Sequence, residues 1–502
     1  MKRLTRLKVA GVTTLSLLLA CGVATAPTSR AATAYPPGGP DQTPVMGWSG
    51  WSFLRENADA AQVKEEAKAL ETTGLAAAGY RYVNIDDGWY QCPGPQGPNV
   101  DSYGRWVVNS GNYPNVGSES GIKALAAYVH SLGLKFGIYE TAGISSQAVA
   151  KNTPILGTSY TADEIATKTP QNNYNCGGMM AINYSAPGAQ AYVDSVVNEL
   201  ASWGVDYVKL DGITDSNGPD IKAWQAAIHQ SGRPMVLDTT EGSFTTALAP
   251  TLKEYSNQWE FEPDIELNGP DEGAANSCNV APYTGCESVF PLTSYADWDD
   301  RFAGVAEWQP YGGPGGFNDY DSIEVGDGSA DSGMSLAASE SQLSLWSLGS
   351  APLMLGSDLT KSVTNAYGSS AGLSSTDFKL LTNRQVIEVD QDSIDASRIE
   401  LAGSPDGAAG HQVFAKVEHS GDAVVGLFNT TTKLSSEPVT ISTTAAAIGL
   451  PADPHGYEVQ NLWGSQSTVA GGRTTFDISS AGKISAKVPA EGVALYRVTP
   501  LR

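Results

Sequence analysis

Histidine and cysteine are scarce in this chain, with five of each among 502 residues. The histidines (His130, His229, His411, His419 and His455) form no H-E-x-x-H stretch and no close pair, which excludes a zinc centre of the usual kind. The first two fall in helical stretches ahead of strands. No strand-like run leads into G-x-G-x-x-G or G-x-x-x-x-G-K-[ST], so a nucleotide site has no support. No serine sits in a G-x-S-x-G elbow, because "GWSGW" has the wrong spacing. The acid-rich "NDYDSIEVGDGSAD" lacks the spacing of a calcium loop. Basic residues are also few: 30 Lys and Arg face 54 Asp and Glu, a net charge of −24. Such a surface repels nucleic acid and anionic membrane and suits a neutral partner. Charged residues at 17% and hydrophobic ones at 41% fit a folded globular chain.

The chain begins with a basic "MKRLTRLK", an apolar "VAGVTTLSLLLACGVA" and the small-residue "TSRAATA". This order predicts a secretory signal over residues 1–34, cleaved near Ala34, and hence a secreted protein. Its apolar run is shorter than a membrane span, and no integral membrane segment is expected in the mature chain. Lipoprotein anchoring at Cys21, after "LLAC", ranks second, since the cleavage site follows downstream. Losing five basic residues takes the net charge to −29. Four cysteines then remain, Cys92, Cys176, Cys278 and Cys286, an even number that suggests two disulfides in an exported protein. Three pairings are possible. The one that closes "CNVAPYTGC" through Cys278 and Cys286 leaves Cys92 with Cys176.

A Pro/Gly leader at 35–44 precedes eight short apolar runs: "VMGWS", "YRYVNIDD", "KFGIYE", "DYVKLD", "PMVLDTTE", "SNQWEF", "GGPGGFND" and "PLMLGSD". Helix-like stretches such as 58–75 and 188–204 separate them. Alternating strand and helix implies a parallel sheet, and eight units across about 350 residues fit a (β/α)8 TIM barrel. That barrel is placed at 45–393. From 394 to 502 the runs become short, rich in Val, Thr and Tyr, and separated by turns, as in a C-terminal antiparallel β-sandwich. A lone Trp463 there reads as core.

Polar residues recur at the C-terminal ends of the apolar runs. Asp86 and Asp87 close the second, Tyr139 and Glu140 the third, Lys209 and Asp211 the fourth, and Asp238 and Glu241 the fifth. Glu260, Glu262 and Asp264 follow the sixth, and Asp319 and Asp321 the seventh. Strand side chains alternate, so Tyr207, Lys209 and Asp211 share a face. In a parallel barrel these ends converge on one mouth, where active sites lie. Any single Asp could be a helix N-cap, but five or six strands ending this way point to a site. Paired carboxylates beside Trp48, Trp51, Trp89 and Trp259 suit glycoside hydrolysis, although each Trp alone is more often core.

"MGWSGW" (46–51), "YVNIDDGW" (82–89), "FGIY" (136–139), "DYVKLD" (206–211), "GGPGGFNDYDSIEVG" (312–326) and "LWSLGSAPLMLGSDL" (345–359) resemble the ordered motifs of glycoside hydrolase family 27, the clan D α-galactosidases or melibiases. The resemblance runs from about Thr43 to the C-terminus. It implies a retaining double displacement on terminal α-galactosides, with Asp211 as nucleophile and, through "WEFEPDI" (259–265), Asp264 as acid/base. It further implies that Lys209 binds sugar and keeps Asp211 ionised, and that Asp86 and Asp87 take the 4- and 6-hydroxyls. Trp48, Tyr139, Glu241 and Asp321 match pocket positions. Glu260 stands where the family carries Arg, near the 2-hydroxyl. No cofactor and no metal are expected, and the partner is an oligosaccharide or polysaccharide rather than nucleic acid. The alternatives are the same chemistry on another glycone (β-L-arabinopyranoside, or isomaltose released from dextran) and a non-catalytic carbohydrate-binding protein.

Overall fold

The computed structural model describes residues 42–501 apart from 174–175, 242–243, 266–294, 327–333, 362–371, 396, 399–409, 433–436, 465–466 and 470–474. The expected signal, most of the leader, and both Cys278 and Cys286 lie outside the described residues.

Each of the eight apolar runs holds a strand: β1 (Met46–Ser49), β2 (Tyr82–Ile85), β3 (Lys135–Thr141), β4 (Tyr207–Ile213), β5 (Val236–Glu241), β6 (Gln258–Glu260), β7 (Phe317–Asp319) and β8 (Leu353–Leu355). All pair in parallel, in the order β7-β6-β5-β4-β3-β2-β1-β8. Just beyond β7, Ile323 bridges Leu355 of β8 in parallel and closes the ring. Strands covered on both faces carry unbroken apolar runs rather than alternation, which is why these segments stood out.

Helices α1 (Ala60–Thr73), α2 (Gly121–Ser131), α3 (Ala189–Trp203), α4 (Gly218–Ser231), α5 (Ala249–Tyr255), α6 (Arg301–Trp308) and α7 (Leu336–Leu348) lie between successive strands. Local chemistry sets their ends. The Asp59 carboxylate accepts the N–H groups of Ala61 and Gln62, the Gln62 side chain accepts that of Asp59, and Gly74 ends α1 at φ 97°.

Inside the barrel, polarity rises along the strands. Near their N-terminal ends, Val45, Tyr82, Tyr207, Val236 and Met354 form an apolar plug. Above it, the Tyr207 hydroxyl donates to Asp238 (2.6 Å), and Gln258 donates to Tyr207 (3.0 Å) and Asp319 (3.2 Å).

Two additions flank the barrel. Between β3 and α3 a small antiparallel sheet forms from Ile144–Ser145, Ala166–Gln171 and Met179–Ile182. A disulfide joins Cys92 to Cys176 beside it, with Cα atoms 5.6 Å apart. After the helix Arg384–Asp390, a six-stranded antiparallel sheet and a two-stranded one enclose an apolar core of their own. This sandwich packs on α6 and α7. Phe302 of α6 meets Phe414 and Phe428, and the Trp463 indole donates to Ser344 of α7 (2.9 Å). Trp463 is thus core, as its solitary position implied.

Candidate active site

Asp211 sits where β4 departs from regular pairing. Leu210 pairs with Thr239 and Ile213 with Glu241, so one extra residue stands on β4. Gly212 takes it up at φ 72°, a conformation that suits glycine. A bulge of this kind re-aims the neighbouring side chain. One carboxylate oxygen of Asp211 accepts the Gly212 N–H (2.7 Å) and the Thr240 hydroxyl (2.9 Å). Lys209, two residues earlier on the same face, donates to Asp86, the residue just after β2 (3.0 Å). Asp87 accepts the Tyr90 hydroxyl (2.6 Å), and that hydroxyl also meets Asn173 (3.1 Å).

Asp264 follows β6 on an irregular segment, and the Trp51 indole donates to its carboxylate (3.2 Å). Glu260, Asp264 and Asp321 each bring one carboxylate oxygen within 4.8 Å of the others. Asp321 uses its oxygens on the N–H groups of Ile265 (2.7 Å) and Ser322 (2.5 Å). Among the described residues, these three carboxylates are fewer than the roughly six to eight oxygens that calcium takes.

Crowding of acids sets the electrostatics. Burial pushes Asp211 up to about 7. The Lys209 ammonium opposes this, and the charges of Asp264 and Asp86 add to it. Lys209 therefore favours ionised Asp211, but desolvation outweighs it. Glu260 lies well above the usual carboxylate range through burial, then Asp321 and Asp264, which favours its protonated, donor form. Its Oε1 is buried and has no hydrogen-bond partner among the described residues. The Tyr139 hydroxyl is likewise buried and without a partner among the described residues, and its strongest charged neighbours are Asp211 and Asp87.

Not every strand-end residue reaches the mouth. Glu140 points to the other face of β3, into a cavity lined by Trp106, Tyr192, Val196 and Trp224. Asp238 and Asp319 belong to the deeper network with Tyr207 and Gln258. Trp259 is fully buried and donates to Asn318 (2.8 Å), and Trp89 packs on Tyr90, Trp106 and Trp203, so neither is a sugar platform. Trp48 is fully buried, with its indole on the Ser357 carbonyl (2.9 Å). Glu241 ends β5, but its side chain lies outside the described residues. Thr240 was not anticipated; its place just before Glu241, at a strand end, was the available signal.

A parallel (β/α)8 barrel whose mouth gathers Asp211, Asp264 and their acidic neighbours around one lysine defines a barrel glycoside hydrolase. Residues 43–170 and 286–392 match the family model for alpha galactosidase A, and 408–498 match that for the alpha galactosidase C-terminal beta sandwich domain. The α-galactosidase of Cyamopsis tetragonoloba is 30% identical over 467 residues, covering 91% of this chain and 87% of its own. Alpha-galactosidase A of Cellvibrio japonicus is 27% identical over 472 residues, covering 91% and 92%. The solved GH27 β-L-arabinopyranosidase of Geobacillus stearothermophilus shares 26% identity at a TM-score of 0.73, over 92% of this chain and 97% of that one. The chain belongs to the α-galactosidase family of glycoside hydrolases, family 27. Among the described residues, no helix is long and apolar enough to cross a membrane.

Proposed function

We propose that the enzyme hydrolyses terminal α-D-galactosides with retention, through a glycosyl ester on Asp211. The observation that carries this reading is Asp211 itself. It stands on a strand bulge at the barrel mouth, two residues after Lys209 and close enough to Asp264 to feel its charge. Both hydrogen bonds described for its carboxylate fall on Oδ1, leaving Oδ2 to attack the anomeric carbon. As that bond forms, Asp264 gives its proton to the leaving oxygen. In the second half Asp264 takes a proton from water, which displaces Asp211 from the sugar. Retention calls for carboxyl groups roughly 5–5.5 Å apart.

Lys209 holds Asp86 with one donor and has two more to offer a sugar hydroxyl. Asp86 and Asp87 supply acceptors that would be left unpaired by a sugar of the wrong 4-configuration, a costly mismatch in a buried site. The N-terminal segment is read as an export signal. The Cys92–Cys176 disulfide supports that reading, since such bonds persist in oxidising compartments.

A second glycone has support from the Geobacillus neighbour. β-L-Arabinopyranose keeps the galactose configuration at C4 and lacks only the exocyclic CH2OH. Aryl α-galactoside, β-L-arabinopyranoside and α-glucoside, with dextran as a polymer, separate the readings. The α-galactoside is expected to show the highest kcat/KM. Faster arabinopyranoside turnover, or isomaltose from dextran, would replace the galactoside assignment.

A further inference from the structure

Arg301 opens α6, and its side chain is fully buried. Its guanidinium reaches three groups. Nε donates to the Tyr320 carbonyl (3.3 Å), Nη2 to the Pro263 carbonyl, and Nη1 to the Asp300 carboxylate (3.0 Å). Tyr320 and Pro263 immediately precede Asp321 and Asp264. On the far side of Asp264, the Ile265 N–H is held by Asp321 (2.7 Å). Asp264 therefore lies between two anchored peptide groups, a carbonyl before it and an N–H after it, and both anchors lead back to the segment that Arg301 grips.

Asp321 takes φ 74°, uncommon for a residue with a side chain, and the Trp346 indole fixes its carbonyl (2.8 Å). Backbone held in such a conformation persists only where its surroundings over-determine it. Arg301 is braced in turn, because the adjoining Phe302 packs against Phe414 and Phe428 of the sandwich. A planar fork can hold two carbonyls at a fixed angle, whereas a lysine ammonium is a single point charge on a flexible stem.

We propose that Arg301 is the positioning residue for the acid/base: by tying the Pro263 carbonyl to the Tyr320 carbonyl, it sets where Asp264 meets the glycosidic oxygen. This rests on the role given to Asp264 above. General acid catalysis is worth about 10²- to 10⁴-fold when the proton is delivered in place. Its loss shows only where the leaving group needs that proton.

The test is kcat/KM on 2,4-dinitrophenyl α-galactoside and on melibiose, for wild type, Arg301→Lys and Asp264→Asn, with circular dichroism and thermal melting as the check on folding. For a folded Arg301→Lys enzyme, kcat/KM on melibiose is expected to fall about a hundredfold and on the dinitrophenyl glycoside less than about threefold. Asp264→Asn is expected to show the same skew, more steeply. Equal losses on both substrates, or no loss, overturn the proposal and leave Arg301 a structural residue. If Arg301→Lys does not fold, Asp300→Ala, which frees the guanidinium at Nη1 without touching the sugar pocket, carries the same comparison with a smaller skew expected. Failure of the wild type on both galactosides would instead remove the reading of the reaction on which the inference rests.

Discussion

Asp211 combines a demand to be ionised with a position that opposes ionisation. Its pKa of about 7 is set by burial first, with Lys209 working against it. Since kcat/KM reports the free enzyme, its acid limb should fall through a pKa near 7. Removing the Thr240 hydroxyl takes one donor from the charged carboxylate, so Thr240→Val should move that limb to higher pH. An unmoved limb in a pH–rate profile would show that another group controls it. Lys209 and Asp211 were legible because two carbon-rich neighbours alternate with them on a strand, and alternation assigns a face. Arg301 was not legible. It grips main-chain carbonyls, which leave no mark in a sequence, and "DDRF" matches no motif.

At the level of elements, the bulge on β4 and the disulfide beside β2 shape the mouth. A side chain at Gly212 would be strained at φ 72°, at a cost of about 1–2 kcal/mol. Gly212→Ala is therefore expected to fold with a lowered melting temperature and to lose most of its kcat, because the bulge that aims Asp211 flattens. Full activity would mean that the bulge is incidental. The Cys92–Cys176 bond fastens the segment carrying Asn172 and Asn173, whose side chains reach the Gly212 carbonyl (3.4 Å) and Tyr90. All eight strands were readable because parallel strands buried on both faces are unbroken apolar runs. Which residue of a run faces inward was less so. A shift of one position moves a side chain to the other face, and that is what separates Tyr139 at the mouth from Glu140 among the helices. The bulge was hidden too, since pairing registers are set between strands that are distant in sequence.

Across the whole molecule, the acids that make the site work against its stability near neutral pH. Asp211 and Asp238 are raised to about 7 and about 6, and Glu260 and Asp319 well above the usual carboxylate range, in each case by burial first. A carboxyl whose folded pKa lies above its unfolded value binds more protons in the native state. Stability then falls as pH climbs from the unfolded value through the folded one. The melting temperature is expected to be higher at pH 5 than at pH 7.5, and the net charge of −24 acts in the same sense through self-repulsion. A flat or rising profile between those pH values would contradict this charge placement.

The barrel and sandwich were visible in composition and periodicity, whereas the bracing of α6 by the sandwich depends on Phe302, Phe414 and Phe428, far apart in the chain. The account turns on Asp211 forming a bond to the sugar. Incubation with 5-fluoro-α-D-galactosyl fluoride, followed by intact-mass and peptide analysis, examines that bond directly. One 5-fluorogalactosyl adduct on the peptide bearing Asp211, formed with loss of the anomeric fluoride, is the predicted result. An enzyme that turns over α-galactosides yet carries its adduct on another acid would contradict it.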